Sequence, residues 1–304
     1  MIRYIRYEQI DKLKWDNCIA QSVSPMIYGY TWYLDTVCKR WDALVEGDYD
    51  GVFPLTSNRK FGFRYLYQPY FTQQLGVFSK KHLTGKMLEE FIDAIPPEYR
   101  FIEINLNYAN KADGIKYKVS RQLNHLLDMK KPYTELVKGF SQNIRRNIKA
   151  ANEEGIKLDS GIKPEEIIEL FRQFKGKEFT HIKNCHYVML LNLIQLLIEK
   201  NMAICTGSVT KRGELCAGIV WVKSQNRAVF LFSAASPEAK ESGAMSWLID
   251  YFIRKYSETD TILDFEGSNN PGLARFYKSF GSYEEYYYHM KINRLPVLVQ
   301  MIKK

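Results

Sequence analysis

Residues 262–282 read ILDFEGSNNPGLARFYKSFGS, and the fold turns on this stretch. Ile262, Leu263 and Phe265 make an apolar run of strand length, which Gly267-Ser268-Asn269-Asn270 breaks. A helix is expected next, because Asn270 can accept from the free N–H groups of a first turn and Pro271 suits a first helical position. Leu273, Phe276, Tyr277 and Phe280 then recur at helical spacing until Gly281 supplies a left-handed stop. The unit is strand, turn, helix.

Working outward, the elements that lead up to this unit occur twice. In the first half, Ala43–Glu46, Gly51–Leu55 and Arg64–Tyr67 predict an antiparallel meander, followed by a helix over Lys86–Ile95 and a strand over Phe101–Leu106. In the second half, Ala203–Val209, Ala217–Val222 and Ala228–Ser233 predict another meander, then a helix over Gly243–Tyr256 and the strand at Ile262. Ala43-Leu44 aligns with Ala203-Ile204, and Gly51-Val52-Phe53 with Gly218-Ile219-Val220, which suggests a duplication. With 304 residues the chain fits two mixed α/β domains. Lys130-Lys131-Pro132-Tyr133 marks the expected boundary, giving domains of 1–130 and 131–294. Leu295, Leu298, Val299 and Ile302 lie on one face of an expected last helix over 295–304. Tyr30 and Trp32 open another expected helix, where they either plug the core or line a substrate cleft.

Composition narrows the partners. Lys and Arg number 43 against 34 Asp and Glu, a net charge of +9 that favours anionic partners: phosphorylated cofactors, nucleotide-linked substrates, RNA or a membrane surface. The N-terminal MIRYIRYEQIDKLKW lacks a long apolar segment and Met189–Ile198 is too short to span a bilayer, so a cytoplasmic protein without a transmembrane segment is expected. The five cysteines show no Cys-x-x-Cys spacing and the five histidines no ligand spacing, so neither a disulfide framework nor a metal is expected.

The two halves differ where chemistry would occur. Ser233-Ala234-Ala235-Ser236-Pro237 ends the second meander, and Lys240-Glu241-Ser242-Gly243-Ala244 leads into the following helix. Small residues at a helix start expose backbone N–H groups to an anion, and Lys240 adds positive charge. Ser242, Gly243 and Ala244 are therefore expected to bind a phosphate-bearing donor, and Gly243→Glu to abolish that binding without unfolding the domain. The matching loop of the first half carries Pro69, Tyr70 and Phe71. Between the halves, Ser141 can cap a helix that Gly155 ends, with Arg145, Arg146 and Lys149 crowded on it.

Asn270, Ala274, Phe276-Tyr277-Lys278 and Phe280-Gly281 resemble the last strand-helix unit of the GNAT N-acyltransferase superfamily. Arg145-x-Asn147-Ile148-x-x-Ala151 with Gly155 is similar to the helix opening the second domain of Fem-type peptidyltransferases, which are tandem GNAT-fold enzymes. The resemblance implies two GNAT-like domains, each a largely antiparallel mixed sheet flanked by helices. The first would be the acceptor side, joined by the returning helix 295–304, and the second would hold the donor. It also implies acyl-coenzyme A on the Lys240–Ala244 loop, although Met245 stands where that family's pattern has a second small residue. Asn270 would lie on the donor side, and Arg145 with Arg146 would help bind an anionic acceptor opposite Tyr30 or Trp32.

Acyl transfer to an amine needs a neutral nucleophile, a polarised carbonyl and a proton for the leaving group. A backbone N–H near Phe232–Ala234, hence Ser233 and Ala234, can polarise the carbonyl. By the resemblance Tyr277 is the candidate acid for a departing thiolate, although packing alone would also account for it. Glu266 can accept the amine proton or bind the acceptor. The expected function is N-acyl transfer from acyl-coenzyme A to an amine of a small molecule, sugar or cell-envelope precursor. Aminoacyl-tRNA is an alternative donor, and a non-catalytic binder of anionic nucleotides or RNA is an alternative of another class.

Overall fold

The computed structural model describes residues 1–267 and 269–296, and the chain divides into two compact units. The first comprises Met1–Gln122 with the described part of Tyr286–Lys304, the second Leu123–Glu285. In chain order the first unit holds β1 (Ile2–Ile5), α1 (Lys12–Gln21), α2 (Thr31–Val37), β2 (Trp41–Glu46), β3 (Gly51–Lys60), β4 (Phe63–Tyr67), β5 (Phe78–Ser79), α3 (Gly85–Asp93) and β6 (Tyr99–Leu106). Strand β7 (Val119–Asp128) leads into the second unit. That unit contains α4 (Tyr133–Leu136), α5 (Gln142–Glu153), β8 (Lys157–Asp159), α6 (Pro164–Phe174), α7 (Asn184–Glu199), β9 (Ala203–Val209), β10 (Leu215–Ser224) and β11 (Arg227–Ala235). It continues through α8 (Pro237–Ser242), α9 (Ala244–Tyr256), β12 (Ile262–Asp264) and α10 (Pro271–Lys278), and β13 (Tyr283–Asn293) returns to the first unit.

Each unit has its own run of paired strands and its own core. In the first, β1, β2, β3 and β4 pair antiparallel in sequence, β4 pairs parallel with β6, and β6 antiparallel with β13. Its core joins Leu44, Phe53, Ile102, Leu106 and Met290 to the buried face of α3, whose Thr84 cap accepts from Met87 N. In the second, β8, β9, β10 and β11 pair antiparallel, β11 pairs parallel with β12, and β12 antiparallel with β7. There α9 lays Leu248, Ile249, Phe252 and Ile253 on the sheet, with the Phe252 ring stacked 3.8 Å from Trp221. The mixed, largely antiparallel sheets with flanking helices agree with the fold class read from the sequence.

The opening stretch behaves as its residues dictate. Asn270 Oδ1 accepts from Gly272 N at 2.9 Å and Leu273 N at 3.3 Å, and Pro271 starts α10. Gly281 has φ +79°, and a Cβ there would come within 3.1 Å of Gly139, so both handedness and close approach require glycine. Tyr277 and Phe280 are buried, but Leu273 is 47% exposed and does not belong to the buried stripe. Ser141 caps α5 by accepting from Ile144 N, and Gly155 lies beyond its end at φ +68°.

Several elements depart from the sequence reading. Strands β7 and β13 were not expected, because VSRQLNHLLD and YEEYYYHMKIN place polar residues beside apolar ones instead of alternating cleanly. These two strands complete the sheets of the two units. The helix expected over Gly243–Tyr256 is α9, and a short helix that was not expected, α8, precedes it, the two separated by Gly243 at φ +75°. The helix expected over 295–304 lies, from residue 297 onward, outside the described residues. Among the described residues no helix is long and apolar enough to cross a membrane.

Candidate functional site

The candidate site lies in the second unit, where β11 and β12 part. They pair only over Arg227–Ile262, Ala228–Leu263 and Val229–Asp264. Beyond that, Phe265 N donates to His125 O at 3.0 Å, while β11 runs on to Ala235 with no strand partner on that side among the described residues. A bulge helps turn β11, because its pairing with β10 steps from Val220–Phe232 to Trp221–Phe230 and leaves Leu231 as the extra residue. Rings fill the root of the opening: Phe265 stacks on Tyr277 at 5.0 Å, and Phe230 meets Tyr277 at 6.1 Å.

Beneath the rings lies a buried polar anchor. Asp264 is fully buried and accepts from Arg227 Nη1, from Asn124 Nδ2 at 3.1 Å and from Glu266 N at 2.8 Å. The last bond helps hold Glu266 in the left-handed region at φ 54°, where a non-glycine residue is strained. Burial first, and then the Glu266 carboxylate, push the Tyr277 phenol up to about 12. Tyr277 therefore keeps its proton at neutral pH and can donate a hydrogen bond. Behind it, His125 is fully buried, its Nδ1 lies 3.4 Å from Ser282 Oγ, and its Nε2 is buried with no hydrogen-bond partner.

A cavity of about 590 Å³ lies at the far end of β11. Ala235, Ser236, Lys240, Gly243 and Met245 line one side, Asn143 and Asn147 of α5 another, and Lys175, Glu178 and Phe276 also border it. Lys240 and Gly243, two of the donor residues expected from the sequence, therefore meet at this cavity.

The other expected donor residues have different surroundings. Ser242 Oγ donates to Glu238 O inside α8, Ala244 is fully buried against the α5 side, and Ala234 is buried opposite Gly218. Ser233 pairs with Ile219 and is half-buried, and the Asn270 side-chain oxygen is occupied by the start of α10. Gly243 has a structural duty too, since a Cβ there would lie 2.3 Å from the Asn147 carbonyl oxygen of α5. The expectation that Gly243→Glu leaves the domain folded is accordingly corrected.

Arg145 is also committed. Its Nε donates to Phe140 O at 3.1 Å and its Nη2 to Val137 O at 2.8 Å, tying α5 to the turn before it. Arg146 is exposed and donates to Asn143 Oδ1. Tyr30 and Trp32, in the first unit, stack at 5.6 Å and are half-buried. The sequence reading missed Asn143, Asn147, Lys175 and Phe276 as cavity residues. The signal available was the i, i+4 pair of asparagines on α5, which share one helix face. Burial pushes the Cys18 and Cys205 thiols up to about 11, and among the described residues no cluster of His, Cys, Asp and Glu is arranged to hold a metal.

Comparison with known proteins shows the fold to be shared. The chain resembles the crystal structure of FemX at 14% identity and TM-score 0.67, over 99% of this chain and 100% of that one. A conserved protein of unknown function from Bacteroides thetaiotaomicron matches at 12% identity and TM-score 0.61, over 96% and 99%. The L-PGS structure from Bacillus licheniformis matches at 12% identity and TM-score 0.51, over 86% and 87%. No family model and no curated protein matches the sequence. The chain therefore shares the fold of FemX along its whole length.

Proposed function

We propose that this protein is an N-acyltransferase that takes its acyl group from acyl-coenzyme A in the second unit and passes it to an amine of a small molecule, sugar or cell-envelope precursor. The observation that carries this reading is the unpartnered edge of β11 running into the cavity at Lys240 and Gly243. An extended, amide-bearing pantetheine arm can add to such an edge as a strand does, with the phosphates toward Lys240. Of the Ser233 and Ala234 N–H groups, the one turned away from β10 would polarise the acyl carbonyl. The protonated Tyr277 would donate to the leaving sulfur, and Glu266 would take the amine proton. Each transfer moves one acyl group from sulfur to nitrogen, with the amine proton balancing the released thiol.

Calorimetric titration with acetyl-coenzyme A tests this. Saturable binding is expected, with Lys240→Ala weakening it by roughly tenfold. Absent binding, or equal binding by the variant, would refute the donor assignment. A second reading, an aminoacyl-tRNA donor, is favoured by the exposed Arg146 and Lys149 on α5 and by the net charge of +9. Such binding would weaken steeply with salt.

A further inference from the structure

The first unit carries a second, larger cavity of about 1030 Å³, at the upper end of the roughly 300–1,000 Å³ of small-molecule sites. It lies on the face of the sheet turned away from the first unit's core. Tyr65 and Tyr67 of β4 stand across from Phe101 and Glu103 of β6, while Leu66, Ile102 and Ile104 between them point into the core. The hairpin residues Phe61 and Phe63 extend this aromatic wall, and Phe61 is 86% exposed. An outward sheet face is normally polar, and here Phe61, Phe63, Tyr65 and Tyr67 join the buried Phe101 around one carboxylate.

The polar floor asks for hydrogen-bond donors. Asn105 Nδ2 donates to Gln73 O at 2.8 Å, so its Oδ1 is the atom 2.9 Å from His289 Nδ1, which must then carry the proton. The His289 Nε2 lies 3.4 Å from Glu103 Oε1. The Glu103 carboxylate is an acceptor at the cavity. Gln68 offers nothing more, since its amide donates to Thr72 O and accepts from Asn105 N. Arg64 is spent on Asp42, Glu98 and Tyr99, so its guanidinium is no anchor for an anion. The protein's own ammonium indicates what suits the wall: Lys291 Nζ sits 3.5 Å from Glu103 and 5.5 Å from the Phe101 ring centre, on a half-exposed side chain that can swing away.

We propose that this cavity binds a small organic cation, an amine carried on a flat or ring-shaped apolar body. Its ammonium takes the place of Lys291 beside Glu103 and the Phe101 ring, and its body lies among the other aromatic rings. The site stands on the first unit alone and does not depend on the donor assigned to the second.

The test is a binding comparison on the full chain with phenethylamine, phenethyl alcohol and hydrocinnamate, which share a body and differ in charge. The amine should bind best and the carboxylate worst. Glu103→Gln should weaken the amine on the order of tenfold, and Lys291→Met should tighten it, with unchanged melting temperatures showing both variants folded. Preference for the carboxylate, unchanged affinity in Glu103→Gln, weakening in Lys291→Met, or no binding of the amine at millimolar concentration would each overturn the proposal.

Discussion

The two units repeat one strand order and treat its central parallel pair in opposite ways. In the first, β4 and β6 pair over Arg64–Tyr99 to Tyr67–Glu103, and where β4 leaves, the chain returns to close the gap. Leu75 N donates to Asn105 O and Asn107 N to Leu75 O, both at 2.8 Å, while Asn105 N donates to the Gln68 side-chain oxygen. In the second, β11 and β12 pair over three residues, and nothing returns to cover β11 from Phe230 to Ala235 among the described residues. The same topology therefore gives one sealed seam and one open one, and an extended ligand can be received as a strand only where backbone groups remain unpaired. The difference teaches that one strand order can be repeated while a short return segment decides whether its central strand keeps an open edge.

Breaking the anchor of the open seam should have the largest effect. Asp264→Ala leaves Arg227 buried beside Glu285 without its main partner, and a loss of about 3–5 kcal/mol is expected in urea unfolding. Asp42 is the counterpart in the first unit. Burial works against its charge, yet donation from Tyr4, Arg64 and Tyr99 holds its carboxyl below the usual range. Its Arg64 partner is more exposed than Arg227, so Asp42→Ala should cost less than Asp264→Ala. Equal losses would mean that the two seams are anchored alike.

Gly243→Ala comes next. The left-handed backbone costs about 1–3 kcal/mol and the collision with Asn147 adds to it, so a clear drop in melting temperature is expected. A variant that melts like the parent would show α5 free to move off the cavity. The sealed seam offers the matching test, since Leu75→Ala empties a fully buried site and should cost about 2–5 kcal/mol without creating a donor site. A loss below about 1 kcal/mol would show the return segment held by its backbone bonds alone.

The smallest effect concerns pH. Burial, the largest cause, lowers the His125 imidazole below its ordinary value of about 6.5. The unfolded chain therefore takes up a proton before the folded one does, so the contribution is whole above about pH 6.5 and is lost as pH falls below it. His125→Gln should flatten the decline of stability between about pH 7 and pH 5. An unchanged slope would assign that decline to other groups.

Much of this was legible in the sequence because local rules decided it. Asn270, Pro271 and Gly281 bracket α10 by chemistry that needs no distant partner, and Ser141 does the same for α5. The placing of β7 and β13 was not legible. Strands β7 and β13 take their places from pairing with β12 and β6, more than a hundred residues away, and their own residues do not alternate. The site was half legible for the same reason. Lys240 and Gly243 stand out as small and basic residues at a helix start, whereas Lys175 and Phe276 reach the cavity only through packing. The tie of Arg145 to the 137–140 turn likewise arises from a turn geometry that a charge run cannot reveal.

The central claim is that the open seam, and not the sealed one, receives the donor. Amide hydrogen exchange with and without coenzyme A tests this most directly. Protection is expected across Phe230–Ser236 and at the start of α9, with no change over β4, Leu75 and β6. Protection over the first unit's seam, or none along β11, would contradict it.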